Sequence, residues 1–245
     1  PEALDETSRL TAERLTLIQS SNTLRFEGPT QLLRWTQRRQ PNVEPDTDIR
    51  ASNGRWNLET GDLGVRGPVR ALRRKDLTVT ASALQGNTQQ GFLDLIQPVR
   101  LEQQDGAINA GTTRWNLAEQ RLRSIAPFQG KRQDATAMGN GFVIDEAATT
   151  VIIPKACQLT QPGESLKAHR CSWNWATNRV VADGDVVLRR QDPDQETRAP
   201  RMEGQLGSSE GVRFGSTGQR VQSSIRFRPD QPHSRPPSSR PRVSF

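Results

Sequence analysis

A short word recurs along this chain at a fixed interval, and that recurrence limits the fold more than any other property of the sequence. Arg55-Trp56-Asn57-Leu58 returns as Arg114-Trp115-Asn116-Leu117 and again as Ser172-Trp173-Asn174-Trp175, so that Trp56, Trp115 and Trp173 are almost evenly spaced. Each interval holds two repeats of a unit roughly 29 residues long, because weaker words, Gln85-Gly86-Asn87 and Val143-Ile144-Asp145, fall between them in phase. Gly28-Pro29, Gly67-Pro68, Gln97-Pro98 and Ala126-Pro127 form a second marker, each after an apolar segment. The longer gap between the first two is filled by the polar stretch from Gln37 to Asp46, which reads as a loop.

Within a unit the apolar residues alternate with period two, which selects strands over helices. Leu63, Val65, Val69 and Ala71 share one face, and Leu93, Leu95, Val99 and Leu101 repeat the arrangement. Leu24, Phe26, Thr30 and Leu32 do the same, as do Val180, Ala182, Val186 and Leu188. Proline inside a strand removes a ladder donor, so its return once per unit implies either a shared bulge or a loop at one height in every layer. About six strand-turn-strand units run from residue 9 to 196, with a degenerate seventh to Pro229. Some 12 to 14 strands exceed what one open sheet holds comfortably, so two facing antiparallel sheets are expected.

Facing sheets with inward Leu, Val, Ile, Ala and Trp make either a closed core or an apolar groove. A wet groove would forfeit roughly 25 cal/mol per Å² of apolar surface, and acyl chains would fill it favourably. A hydrophobic content of 32% suits a thin, elongated β structure. The chain divides into an N-terminal arm (1–8), a β domain (9–229) and a Pro/Ser/Arg-rich tail (230–245). The net charge of +7 fits either an anionic partner or solvated Arg on outward faces, with Arg235, Arg240 and Arg242 of the tail adding to the excess.

Cys157 and Cys171 flank the turn Gln161-Pro162-Gly163-Glu164. A hairpin about that turn would bring them nearly opposite each other, either as a disulfide or as two reduced, buried thiols. His169 and His233 are the only histidines, too few for a triad or a multi-histidine metal cluster. A zinc site of Cys157, Cys171 and His169 lacks a fourth ligand. Gly139-Asn140-Gly141 has neither the Lys nor the following helix of a phosphate loop. Asp94, Glu102, Asp145 and Glu146 show no spacing that marks paired catalytic carboxylates, and Trp56 and Trp115 recur with the repeat rather than among exposed basic residues, as nucleic-acid binding would need. The chain therefore reads as a non-enzyme with no cofactor, metal or nucleic-acid partner. No apolar run approaches the roughly 18 residues of a membrane-spanning helix, and because the chain begins at Pro1 this says little about localisation.

The segment from Ile49 to Leu58, followed by Gly61-Asp62-Leu63-Gly64-Val65-Arg66-Gly67-Pro68-Val69, resembles the OstA/LptC-like β-jellyroll superfamily, in particular its cyanobacterial LptC branch. The segments 110–117 and 168–174 echo the pattern, and the likeness extends from about Leu10 to Phe227. The resemblance implies an all-β, folded-over β-jellyroll, or β-taco, that receives lipopolysaccharide or a related glycolipid from an inner-membrane ABC transporter. It would pass this lipid to a periplasmic bridge protein of the same family, without catalysis. It also implies a periplasmic location and an inner-membrane anchor by an N-terminal helix absent from this chain. No motif marks a sharp site, so the resemblance carries over by position only, to inward candidates Leu63, Val65, Val69, Leu93, Leu95, Val99, Trp115, Leu117, Phe128, Val180, Val186 and Leu188. The cysteine pair and the basic tail depart from the family pattern. Competing readings are a β scaffold that binds protein partners through its sheet edges and a polysaccharide-binding β-solenoid with Trp and carboxylates on an outer face.

Overall fold

The computed structural model describes residues 1–4, 6–40, 42–73, 76–191, 194–205, 212–215 and 221–226; the tail, His233 and parts of the seventh unit lie outside the described residues. In chain order the strands begin β1 (Glu2–Leu4), β2 (Ser8–Ile18), β3 (Thr23–Arg34), β4 (Thr47–Ala51), β5 (Asn53–Asn57), β6 (Asp62–Arg73) and β7 (Leu77–Asn87). They continue with β8 (Phe92–Ile96), β9 (Val99–Gln103), β10 (Gly106–Ala110), β11 (Thr113–Asn116), β12 (Arg121–Arg132), β13 (Ala135–Asp145) and β14 (Thr150–Ile153). The last are β15 (Cys157–Gln161), β16 (Glu164–Ala168), β17 (Arg170–Asn174), β18 (Arg179–Gln191), β19 (Asp194–Gln205), β20 (Arg213–Gly215) and β21 (Gln222–Arg226). All pairing among the described residues is antiparallel, in one 21-stranded sheet.

The repeat explains why there are more strands than the 12 to 14 expected. Each passage of chain is interrupted near its middle, so the passage from Thr47 to Asn57 divides at Ser52 into β4 and β5. In the long strands the interruption is a bulge. Register shifts by one residue between Ala12 and Arg14, Arg66 and Val69, Ser124 and Pro127, and Asp183 and Val186. Gly28, Gly67 and Gly184, at three of these sites, have φ of +78°, +89° and +78°, a region that glycine enters without a Cβ penalty. The recurring prolines Pro29, Pro68 and Pro127 fall here, where no ladder donor is required, and the Gln97-Pro98 step separates β8 from β9. A bulge thus accompanies Pro29, Pro68 and Pro127, while Pro98 lies in a break between two strands.

Because every passage bends at the same height, pairing splits into two ladders joined along a spine. The first runs from the C-terminal half of β2 through the N-terminal half of β3, β5, the N-terminal half of β6, the C-terminal half of β7, β8 and β11. It goes on through β12, β13, β14, β17 and β18 to β19 and β20. The second contains β1, the other halves of the long strands, and β4, β9, β10, β15, β16 and β21. Side chains from the two meet: the Phe128 ring, on the second ladder, packs edge-on against Phe142, on the first, at 5.2 Å.

At the outer end of the first ladder the repeated word acquires a cause. Asn57, Asn87, Asn116, Asp145 and Asn174 each end a strand and accept backbone N–H bonds two or three residues on, for example from Gln90 to Asn87 at 2.8 Å and from Ala148 to Asp145 at 2.9 Å. These are Asx turns, which substitute a side-chain oxygen for the ladder as the chain reverses. Asn87 also donates to the carbonyl of Thr60 at 2.8 Å, tying one turn to the preceding one. The Asx residue therefore persists in the units where the Trp does not.

Two expectations need correction. The 1–8 segment, read as an arm, contains β1, which pairs with β2 through Glu2 and Thr11, Ala3 and Leu10, and Leu4 and Arg9; the open margin of the sheet supplies the unpaired groups. The cysteines are joined, with Cα atoms 5.9 Å apart, but not as opposite members of a hairpin. Cys157 lies opposite Ala168 on the second ladder, and Cys171 lies between Ile153 and Ala182 on the first. The bond therefore ties one ladder to the other beside the spine.

Candidate ligand slot between the ladders

The inward candidates come together. Leu63, Val65, Val69, Leu93, Leu95, Val99, Trp115, Phe128, Val180, Val186 and Leu188 are all buried in one apolar cluster shared by both ladders. Leu117 is the exception: it lies just beyond β11, half-buried, and packs on the cluster margin. Each buried Leu or Val contributes about 1.5–3 kcal/mol relative to exposure, so the interior is where the fold's stability concentrates.

The space between the ladders is mostly closed. Leu84, Trp115, Phe142, Val180 and Val186 are 0% exposed. Near the N-terminal end a cavity of about 20 Å³ remains, bounded by Leu10, Leu32 and Ile49 of the second ladder and Phe26, Trp56 and Leu84 of the first. That is room for about one water, and the lining is mostly apolar, with Ser8, Thr30 and Thr88 also on its wall.

Polar groups cross the outer lips of the slot, and sequence reasoning missed them. Arg73, at the inward end of β6, donates from its guanidinium to Glu146 at 3.1 Å and lies 5.2 Å from the Trp115 ring centroid. Arg132, at the end of β12, lies 6.0 Å from the ring of Trp173. The signal that could have found Arg73 was an Arg at an inward position of the period-two pattern. Trp35 was also missed: it is buried against the loop, with its indole N–H donating to the Val43 carbonyl at 2.7 Å.

Glu164 is also buried, 2.9 Å from Arg190, and outward faces hold most of the other charges. Arg114 makes a two-pronged bond to Asp94, both at 2.7 Å, and Arg121 meets Asp145 at 2.9 Å. Arg100 pairs with Glu102, and Arg189 and Arg198 with Glu196. The Asp145 carboxyl is held below its ordinary range first by the Ala148 N–H and then by Arg121, and that of Glu196 by Arg189 and then Arg198. Much of the described basic charge is thus paired with carboxylates, some across strands and some along one. Trp56 and Trp115 face inward, so the outer aromatic platform expected of a sugar-binding solenoid is not formed by them.

The zinc set considered for Cys157, Cys171 and His169 does not form, since the cysteines bond each other and exposed His169 pairs with Asp185 at 3.1 Å. Among the described residues no group of three or more His, Cys, Asp or Glu could hold a metal, and no helix is long and apolar enough to cross a membrane.

No protein-family model matches the chain, and no curated protein matches it. Among solved structures it is similar to LptH of Pseudomonas aeruginosa, described as the LptA homologous periplasmic component of the conserved lipopolysaccharide transport device. Identity is 12% and the TM-score 0.39, over 62% of this chain and 95% of that chain. A likeness at that level assigns neither family nor function.

Proposed function

We propose that the chain is a noncatalytic carrier that holds the acyl part of lipopolysaccharide, or a related glycolipid, between its two ladders. In this reading the bent sheet is a folded-over β-jellyroll in the periplasm. It receives lipid from an inner-membrane ABC transporter, whose ATPase supplies the energy, and passes it to a periplasmic bridge protein of the same fold. One observation carries the reading: the buried apolar stripe runs as a single cluster from Leu24 and Phe26 at one end to Val180, Ala182 and Met202 at the other. The wall-to-wall disulfide suits an oxidising compartment.

The closed interior has no room for an acyl chain, so loading requires the lips to part. The apolar burial given up on parting is replaced at about 0.8 kcal/mol for each buried CH₂ of the guest. Photo-crosslinking side chains at Val65, Val99 and Val186 in cells are expected to capture glycolipid. Capture only from outward Arg66 and Arg100 would contradict the reading.

A protein-binding scaffold is a second reading, favoured by the margin of β2. Leu17 and Ile18 are 51% and 41% exposed there, and residues 14–18 pair on one side only, with β3, among the described residues. Such an edge can accept another strand. Mass spectrometry of an organic extract of protein purified without detergent separates the two, since a scaffold alone would yield no stoichiometric acyl lipid.

A further inference from the structure

Arg73 is out of place. It follows Val69 and Ala71 on the inward side of β6 and is only 4% exposed, in a stripe that is otherwise apolar. A buried guanidinium persists only when paired, and its partner Glu146 comes from the other ladder, in the turn after β13. The pair therefore spans the slot opposite the spine, with Trp115 beneath the cation.

The device repeats. Arg132 follows Arg73 by the same two repeat units that carry Trp115 to Trp173, so the arginine-over-indole contact returns two layers on. The third Trp of the series breaks the pattern. Trp56 donates its indole N–H to Thr88 Oγ1 at 3.2 Å, and no cation lies over it among the described residues. It is also Trp56 that lines the residual cavity.

The closed state also leaves a donor beside Arg73 unsatisfied. The Trp115 Nε1–H is buried with no hydrogen-bond partner among the described residues, a donor left wanting an oxygen next to a cation. Glu146 keeps its side chain about one-fifth exposed, so the carboxylate can withdraw to water while Arg73 cannot.

We propose that the Arg73–Glu146 pair over Trp115 is a latch across the slot, released by amphiphiles with an anionic headgroup, phosphate or carboxylate. The headgroup oxygens replace Glu146 on Arg73 while the acyl chain enters between the ladders; Arg132, 42% exposed and 4.0 Å from Asp105, shares only the arginine-over-indole contact. This rests on the slot reading of the preceding section and adds its selectivity. Exchanging one oxyanion for another leaves the guanidinium paired throughout. A neutral amphiphile of the same length would have to part the lips and break the Arg73–Glu146 bond without supplying an oxyanion in its place, so the anionic guest gains more from the open state.

The test measures equilibrium binding of three probes below micelle-forming concentration: 1-palmitoyl lysophosphatidic acid, 1-palmitoyl glycerol and inorganic phosphate. Wild-type protein is expected to bind the lysophosphatidic acid at least ~10-fold more tightly than the glycerol ester, a gap of about 1.4 kcal/mol, and inorganic phosphate far more weakly than either. The double variant R73Q/E146Q, which removes both charges of the pair, is expected to bind both palmitoyl probes with a ratio near one. E146Q alone should tighten both. Equal wild-type affinity for the two palmitoyl probes, or an unchanged ratio in the double variant, would overturn the latch and leave the slot standing. Failure of both probes to bind wild type and double variant alike would remove the slot itself. Inorganic phosphate binding as tightly as the lysophosphatidic acid would mark a simple anion site and also overturn the proposal.

Discussion

The two ends of each layer are held by different physics. At the spine the chain is turned by its backbone: Gly28, Gly67 and Gly184 sit at positive φ, a proline recurs beside the bulge, and the Cys157–Cys171 bond ties the ladders covalently. At the lips the first ladder closes on itself through Asx turns, and what crosses from one ladder to the other is side chains, Arg73 to Glu146 and Trp115, Arg132 to Trp173. A spine built this way resists being unfolded, whereas ion pairs and indole contacts can exchange partners. In the carrier reading proposed above, the difference puts the hinge at the spine and the opening at the lips.

The largest expected effect sharpens that contrast at the interior. Trp115→Ala should cost about 3–5 kcal/mol in urea unfolding, because a fully enclosed indole is replaced by a void; a loss below ~1 kcal/mol would mean that the ladders are not packed together. Replacing both cysteines by Ala should cost about 3 kcal/mol by denaturant midpoint, while leaving the palmitoyl-probe ratio unchanged, since the bond lies at the spine. At Gly67 nothing lies within 4 Å of an added Cβ, so Gly67→Ala isolates the backbone term of the bend, expected at about 1–2 kcal/mol.

Among the turns, Asn87→Ala should cost more than Asn116→Ala. Asn87 accepts from Gln89 and Gln90 and donates to Thr60 and Asp62, whereas Asn116 accepts only from Glu119 among the described residues. A single such bond is worth about 0.5–1.5 kcal/mol, and equal losses at the two positions would contradict the inter-turn tie. The smallest effect is that of acid. Asp62, Asp145 and Glu196 have lowered pKa values in the folded chain, so their stabilisation is complete above the ordinary carboxylate range and is lost as pH falls through the folded values. The urea midpoint should therefore decline between roughly pH 5 and pH 2, and Glu196→Gln should flatten part of that decline.

The spine and the apolar stripe were legible in the sequence because both follow local rules. Period-two alternation carried Leu63, Val65, Val69 and Ala71 inward through the bulge, and a proline once per unit marked the bend. The lips were less legible. Arg73 and Arg132 read as ordinary surface cations in composition, and nothing local says that Glu146, far along the chain from Arg73, would face it across the slot. The cysteines were placed together but by the wrong path, since sequence spacing shows a turn between them and not that each passage is bent in half. The persistence of Asn87 and Asp145 in units without Trp was visible, but its cause, a side-chain oxygen capping a turn, requires the geometry.

The most direct test of the hinge and opening uses paired spin labels and pulsed electron resonance distances. One pair spans the lips at Gln103 and Glu119, on exposed positions of opposite ladders, and one lies along the spine at Ile125 and Asp185. With 1-palmitoyl lysophosphatidic acid bound, the lip distance is expected to lengthen while the spine distance stays fixed. A lip distance unchanged on binding, or a spine that moves as far as the lips, would contradict it.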